Sequence, residues 1–256
     1  MRTLLLVFMV IVLGFDAFLF KNPDKQTTFN FLFNLVYALI FLLGATFAFF
    51  KSKQFPTAPK LQKSMLFFAS GMFSFACGLI TWTYYNIVSK IPIPYPSLAD
   101  VFFLLYYPGV LIGIYFMITS FGNQVTKKLM FEGFLVFLVF FSLLYIFLSQ
   151  TSLDASLPFL ARFLNIIYPC ADSLLIASAI TVLRTEKGVS THPNILYFVF
   201  AFFVLAAADT IFSYRSASGM YWNGDVSDLL FTISGFVMAL GFLSFRRISL
   251  TNHTYS

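Results

Sequence analysis

Apolar residues recur along the chain in continuous runs of about 20 residues, separated by short polar segments. A helix of that length crosses the roughly 30 Å hydrocarbon core of a bilayer. Barrel strands alternate apolar and polar residues, whereas these runs are continuous, so the pattern predicts helices. We therefore expect an all-α, polytopic transmembrane bundle of about eight helices that forms a single integral membrane domain over residues 1–256. The predicted helices cover about residues 3–20, 29–50, 64–88, 97–121, 127–148, 158–183, 194–214 and 226–245.

The composition excludes a water-soluble domain, because 59% of the residues are hydrophobic and only 10% are charged. A soluble domain carries about 25% charged residues. The lipid bilayer is thus the expected partner. The net charge of +6 does not indicate nucleic-acid binding, since the basic residues lie at the ends of the apolar runs, where Lys and Arg set orientation.

The distribution of Lys and Arg predicts how the bundle is oriented. Eleven of the 16 basic residues fall on the side that contains both termini, and the other side holds Lys21, Lys25, Lys90, Arg162 and Arg215. Cytoplasmic loops are enriched in basic residues. We expect a multi-pass protein of the cell membrane (inner or plasma membrane) with both termini cytoplasmic. The connections after helices three, five and seven would then face outward.

The first apolar run is open to two interpretations. Met1-Arg2 followed by an apolar stretch resembles a secretory signal, which would be cleaved. No clear small-residue cleavage site precedes Lys21, and Asp16 interrupts the run. We therefore expect a retained helix, with a cleaved signal as the alternative.

Acidic residues are rare, and their placement is the most informative polar feature of the chain. Five of the ten fall within or at the ends of the later helices, namely Asp100, Asp172, Asp209, Asp225 and Asp228. Four of them share a local form in which Ala or Ser precedes the aspartate, and such a small residue lets neighbouring helices approach closely. An internal duplication and chance in a biased composition both explain this repetition.

Two kinds of role are open for these aspartates. Ser97 with Asp100, and Asp225 with Asp228, have the spacing of a helix-capping pair, in which a carboxylate stabilises a helix start. Asp172 is expected near the middle of the bilayer, where a charge costs at least about 2.5 kcal/mol. A ligand-binding role and a purely structural hydrogen bond both explain it.

Aromatic residues accompany the aspartates at helical spacing. Tyr168 lies four residues before Asp172, and Tyr107 lies seven residues after Asp100, so each pair shares one helix face. Tyr84, Tyr221 and Trp222 also fit an aromatic belt at the membrane interface. The candidate ligand-binding residues are Trp82, Tyr85, Asp100, Tyr107, Tyr168, Asp172, Asp209, Tyr221, Asp225 and Asp228.

The sequence contains no motif for catalysis, metal binding or a cofactor. A Gly-rich phosphate loop, a nucleophile elbow and a His-Glu-x-x-His motif are all missing. His192 and His253 lie in a loop and in the tail, and Cys77 and Cys170 fit small apolar fillers. We therefore predict no catalytic residue, no metal and no cofactor.

The stretch Pro94-Tyr-Pro-Ser-Leu-Ala-Asp-Val-Phe-Phe-Leu-Leu-Tyr-Tyr-Pro108 resembles a motif of the membrane-embedded N-terminal sensor regions of bacterial cyclic-di-GMP signalling proteins (diguanylate cyclases and phosphodiesterases). Tyr168-Pro-Cys-Ala-Asp172 and the segment from Gly219 to Asp228 resemble later parts of that region, in the same order. The resemblance covers roughly Phe29 to Phe245. It marks Trp82, Pro96, Ser97, Asp100, Tyr107, Pro108, Tyr168, Asp172, Asp209, Tyr221, Gly224 and Asp228.

This resemblance implies a multi-helix sensor whose cavity perceives an unidentified small-molecule ligand on behalf of a cytoplasmic signalling partner. Proteins of that family continue into a catalytic domain, whereas this sequence ends at Ser256. A fragment of a longer signalling protein and a free-standing relative that works through a partner are both open. The cyclase activity itself is not implied.

Three functions follow from these observations. The first, which we expect, is a sensor or ligand-binding module with an Asp-, Tyr- and Trp-lined cavity that opens to the extracytoplasmic side or to the membrane. The second is a small-solute or proton-coupled transporter that uses the intramembrane aspartates. The third is an intramembrane enzyme that modifies a lipid, although nothing in the sequence identifies a nucleophile.

Overall fold

A computed structural model describes residues 1–120, 125–152, 157–185 and 194–245 of the chain. Within these ranges the regular structure is entirely helical, and eight helices are long and apolar enough to cross a membrane. The predicted all-α bundle is thus confirmed. Both histidines and the predicted end of the fourth helix at residue 121 lie outside the described residues. The helices are α1 (Arg2–Lys21), α2 (Thr28–Ser52), α3 (Pro59–Ile87), α4 (Leu98–Ser120), α5 (Lys127–Ser152), α6 (Phe159–Arg184), α7 (Ile195–Ala217) and α8 (Val226–Ser244).

Most helix ends lie within a few residues of their predicted positions, and α3 shows the largest difference at an N-terminus. It begins at Pro59, five residues before the predicted start at Ser64. Proline is favoured in the first turn of a helix because its missing N–H would have no partner there. The polar segment that was assigned to a loop is therefore the first turn of the helix.

Six of the helices form a closed ring. Around it, α2 contacts α3, α3 contacts α4, α4 contacts α6, α6 contacts α7, α7 contacts α8, and α8 returns to α2. Helix α1 packs outside the ring against α2 and α8, and α5 packs outside it against α6 and α7. Because α1 and α5 turn most of their apolar surface outward, the ring has two lipid-facing flanks.

The bundle consists of two matching halves, α1–α4 and α5–α8. The contact that joins α4 to α6 has its counterpart in the contact that joins α8 to α2. Asn34-Leu-Val-Tyr37 occupies the seventh to tenth residues of α2, and Asn165-Ile-Ile-Tyr168 occupies the same places in α6. Asp100 and Asp228 are each the third residue of their helices, α4 and α8. The duplication suggested by the repeated aspartates therefore extends over four helices.

Helices α3 and α4 approach each other closely, and glycine permits the approach. A Cβ atom added to Gly109 would lie 2.9 Å from the Cα and the backbone N of Gly71. A Cβ atom added to Gly71 would lie 3.0 Å from the carbonyl oxygen of Tyr106. Backbone atoms cannot move aside as a flexible side chain can. This contact fixes the position of α4, and α4 carries Asp100 and Tyr107.

We predict that Gly109→Ala lowers the free energy of unfolding by about 1–3 kcal/mol, the usual cost of overpacking a tight contact. The measurement is the thermal unfolding midpoint in detergent. Gly14→Ala in α1 is the matched control, because no heavy atom lies within 4 Å of its added Cβ and alanine favours a helix. Equal midpoints for the two variants would contradict this account of the α3–α4 contact.

Candidate ligand-binding cavity

The ring encloses a partly open cavity of about 380 Å³ at the end of the bundle where α3 connects to α4 and α7 connects to α8. This volume lies within the range of small-molecule sites. Its walls come from all six ring helices and their loops. They comprise Tyr37, Phe75, Leu79, Trp82, Ile93, Tyr95, Pro96, Asp100, Phe103, Tyr107, Leu157, Pro158, Ala161, Asn165, Tyr168, Asp209, Phe212, Ser213, Ser216, Ala217, Tyr221, Asp228 and Phe231.

Seven of the ten candidate residues line this cavity, and three do not. The seven are Trp82, Asp100, Tyr107, Tyr168, Asp209, Tyr221 and Asp228. Tyr85 instead contacts the ring of Tyr84. Asp172 is buried behind Tyr107, and Asp225 pairs with Arg215. The interpretation of Tyr221 as an interfacial belt residue is wrong, because its side chain is buried and forms part of the wall.

Two tyrosine–aspartate pairs occupy equivalent places in the two halves. The Tyr168 hydroxyl of α6 donates to Asp100 Oδ1 at 2.9 Å. The Tyr37 hydroxyl of α2 lies 3.4 Å from Asp228 Oδ1, a longer contact of the same kind. In each half a tyrosine of the second helix thus reaches the aspartate in the first turn of the other half's fourth helix.

Both of these aspartates also accept backbone hydrogen bonds at a helix start. Asp100 Oδ2 accepts from the Ser97 N–H at 2.7 Å, while Ser97 Oγ accepts from the Ala99 N–H, so the predicted capping pair is present. In α8 the expected pair differs in one bond, because Asp228 Oδ2 accepts from the Gly224 N–H at 2.6 Å. Gly224 has φ of +94°, which is readily available only to glycine. This conformation directs the Gly224 N–H to the carboxylate of Asp228, four residues ahead.

Asparagines attach the loops beside the cavity to the helices. Asn223 in the α7–α8 loop accepts hydrogen bonds from Asn34 Nδ2 and Trp82 Nε1, both at 2.8 Å, and donates to the Pro92 carbonyl. In the other half, Tyr95 in the α3–α4 loop donates to Asn165 Oδ1 at 2.5 Å. Each half therefore uses the asparagine at the seventh position of its second helix to hold one loop.

One polar cluster breaks this symmetry. The Tyr107 hydroxyl lies 2.8 Å from Asp172 Oδ1 and 3.0 Å from Asp209 Oδ2, and the two carboxyl groups also interact with each other. Asp172 is the fourteenth residue of α6, where α2 has Phe41, and Asp209 lies eight residues before the end of α7, where α3 has Leu79. Among the six ring helices, only those of the second half thus supply carboxyl groups away from a helix start.

The cluster contains fewer protons than its contacts require if both aspartates are ionised. A phenol carries one proton and can donate one hydrogen bond, whereas Tyr107 has two carboxyl neighbours. With both carboxyl groups ionised, the Tyr107 proton can serve only one of the two contacts, whereas a proton on one carboxyl group lets both be hydrogen bonds. Asp172 is buried, whereas Asp209 is partly exposed and lines the cavity. The cluster thus runs from the cavity wall into the bundle.

Four rings form an aromatic wall on one side of the cavity: Trp82, Tyr95, Phe212 and Tyr221. Phe212 is central, with its ring centroid 4.8 Å from that of Tyr221, 5.9 Å from that of Trp82 and 6.3 Å from that of Tyr95. All three pairs meet edge to face, which is a favoured geometry for aromatic rings.

The two loop tyrosines of this wall stay neutral. Burial and the nearby Asp100 raise the pKa of the Tyr95 hydroxyl above its usual range. Burial and the nearby Asp228 likewise raise the pKa of Tyr221. Both phenols therefore act as uncharged donors and aromatic surfaces at physiological pH, and neither adds a charge to the cavity.

Sequence reasoning missed four residues of the cavity that have a clear role: Tyr37, Tyr95, Asn165 and Phe212. A signal for two of them exists in the chain, because the Asn-x-x-Tyr pattern of α6 is repeated in α2. Aligning the two halves would have found Tyr37 and Asn165. Tyr95 and Phe212 carry no such pattern, since their role depends on how the loops and helices pack.

Comparison of the chain with protein-family models, with curated proteins and with solved structures gives no match. The resemblance to sensor regions of cyclic-di-GMP signalling proteins therefore rests on the sequence motifs alone.

Arg215 and Asp225 allow a test of how the α7–α8 loop is held. Arg215 Nε lies 2.5 Å from Asp225 Oδ2, and the side chain of Asp225 is only 1% exposed. We predict that Arg215→Gln costs about 3–5 kcal/mol of stability, because it leaves a buried carboxylate without its partner. Thermal or denaturant unfolding of the purified protein measures this.

The matched control is Arg184→Gln. Arg184 lies 3.5 Å from Glu132, and the two side chains are 57% and 23% exposed. An exposed pair contributes about 0–1 kcal/mol. A similar loss of stability in both variants would show that the buried pair has no special part in holding the loop.

Proposed function

We propose that this protein is a multi-pass membrane sensor or ligand-binding module that takes a small molecule into the cavity of the six-helix ring. The observation that carries the proposal is that one cavity of small-molecule size is bounded by all six ring helices and by both symmetry-related loops. A ligand in such a cavity contacts both halves of the bundle at once. The sequence resemblance to bacterial sensor regions supports the same function.

The proposed mechanism is a shift between two arrangements of the halves. A ligand moves such an equilibrium only through contacts that differ between the two arrangements. The cavity meets this requirement, since its wall joins α3 and α4 of one half to α6, α7 and α8 of the other. The distribution of basic residues supports a cavity that opens outward and helix ends that present the change to a cytoplasmic signalling partner.

A carrier is the second candidate, and two observations favour it. Parallel repeats of helices around a central site occur in transporters. The Asp172–Tyr107–Asp209 cluster links the cavity to the bundle interior and holds carboxyl groups without a described basic partner. Ionisable residues within membrane helices are common in proton and ion relays. The same cluster would then alternate between protonation states during transport.

The first test asks whether the cavity binds anything. The full chain, purified in maltoside detergent, is screened by thermal unfolding and native mass spectrometry against a panel of cationic, neutral and anionic small solutes. Ligand binding raises the midpoint in a concentration-dependent manner. We predict that at least one compound stabilises the wild type and that Ser213→Trp, which fills the cavity, abolishes the effect.

Ser142→Trp is the control, because Ser142 is exposed on α5, outside the ring. It should bind as the wild type does. A panel in which no compound distinguishes the wild type from Ser213→Trp would overturn the binding proposal.

The second test separates a sensor from a carrier. A compound that binds is labelled and offered to proteoliposomes that contain the wild type or Asp172→Asn. A sensor gives no uptake above that of protein-free vesicles. Uptake by the wild type that is lost in Asp172→Asn would establish the carrier instead.

A further inference from the structure

We propose that the ligand of this cavity is an organic cation, an amine or quaternary ammonium group, with Asp209 as its ionic contact and the aromatic wall as its apolar enclosure. This inference rests on the proposed ligand-binding function. It adds the chemical class of the ligand, which neither the cavity volume nor the sequence motifs specify.

The charge of the lining is the first argument. Asp100, Asp209 and Asp228 line the cavity, and none of its described lining residues is Lys, Arg or His. Of the basic residues at this end of the bundle, Arg215 in the last turn of α7 is bound by Asp225 and the Met220 carbonyl, and Arg162 in α6 is not among the lining residues. A buried carboxylate without a compensating charge is costly. A bound cation supplies that charge and therefore binds more favourably than a neutral or anionic solute.

The hydrogen bonds single out Asp209 among the three. Asp100 accepts from Ser97 and Tyr168 through its two oxygens, and it is 4% exposed. Asp228 is 1% exposed and accepts from a backbone N–H and a tyrosine. Both aspartates take part in the tyrosine–aspartate contacts that are repeated in the two halves. Asp209 accepts the Tyr107 hydroxyl at Oδ2, has no carboxyl equivalent in the first half, and is partly exposed where it lines the cavity.

The aromatic wall is the second argument, and it is independent of the carboxyl groups. Aromatic faces attract cations within about 6 Å of the ring centroid, and aromatic enclosures recognise quaternary ammonium groups. Phe212 carries no polar atom, and the Trp82 N–H is already bonded to Asn223. These two residues therefore offer aromatic surface to a ligand.

The same lining argues for an organic cation over a metal ion. Calcium and magnesium ions take six or more ligands, nearly all oxygen, in a compact shell. Among the residues that the structure describes, no group of three or more His, Cys, Asp or Glu side chains is arranged to hold a metal. The cavity instead spreads its carboxyl groups over α4, α7 and α8 and separates them with rings.

The test compares two probes of the same shape and different charge: choline and its neutral carbon isostere dimethylbutanol. Binding to the full chain in maltoside is measured by isothermal titration and by the shift of the unfolding midpoint. We expect choline to bind saturably and dimethylbutanol to bind at least about tenfold more weakly, since only choline gains the charge interaction.

Two variants locate the site. Asp209→Asn should weaken choline binding by about tenfold or more, whereas Asp24→Asn should leave it unchanged. Asp24 is exposed in the α1–α2 loop at the same end of the bundle, so the Asp24→Asn substitution removes the same charge without changing the cavity. Phe212→Leu should weaken binding by about 2- to 30-fold through loss of the ring face. Phe200→Leu is its control, because Phe200 is 56% exposed on α7.

The outcomes separate this inference from the proposed function. Suppose that choline does not bind, and that a neutral or anionic compound of the panel binds to the wild type but not to Ser213→Trp. That result would overturn the inference of a cationic ligand and would still support the ligand-binding function. Absence of binding by every compound would overturn both. If Asp209→Asn fails to fold, equal affinity for choline and dimethylbutanol in the wild type still refutes the inference.

A lipid headgroup and a free solute share this chemistry, and nanodiscs distinguish them. Choline binding is measured in nanodiscs of phosphatidylglycerol alone and in nanodiscs that also contain phosphatidylcholine. Lower apparent affinity for choline in the second type supports a cation on a lipid headgroup. Unchanged affinity supports a free ammonium solute.

Discussion

Every polar group placed within the hydrocarbon must find its partner inside the protein, and the architecture follows from this constraint. A helix pairs its own backbone N–H and C=O groups by hydrogen bonds, so only the polar side chains still need partners. Here they meet inside the six-helix ring, where tyrosine hydroxyls and asparagine amides are bonded to aspartates, to other amides and to loop carbonyls. Apolar side chains fill the outer surfaces of α1 and α5, which face lipid.

The two halves meet this requirement in the same way and then diverge. Asp100 and Asp228 each start a fourth helix, and Tyr168 and Tyr37 reach them from equivalent places. These repeated contacts hold the two halves of the bundle together. Asp172 and Asp209 lie where the first half has Phe41 and Leu79, so they take no part in the contacts that the two halves share. A carboxyl group that lies outside these repeated contacts is the best candidate for a ligand contact.

Sequence reasoning found most of the helices because a membrane span needs a long apolar run, and such runs are visible without an alignment. It also found seven residues of the cavity, because ionisable side chains in apolar helices are costly and therefore conspicuous. It placed Asp172 at the centre of a site, whereas the structure places Asp209 at the cavity and Asp172 behind Tyr107. Helical spacing reports which residues share a face, but it does not report which neighbouring helix that face meets.

The sequence by itself determined that this protein is a helical membrane bundle, where its helices lie, and which rare polar residues need an explanation. These are local properties, set by the length of apolar runs and by the cost of burying charge. Only the tertiary structure decided that six helices close into a ring, that Tyr37, Tyr95 and Phe212 join the cavity, and that Asn223 ties a loop to α2 and α3. Those contacts join residues far apart along the chain, such as Tyr37 and Asp228 at 191 positions, and their pairing depends on how whole helices pack.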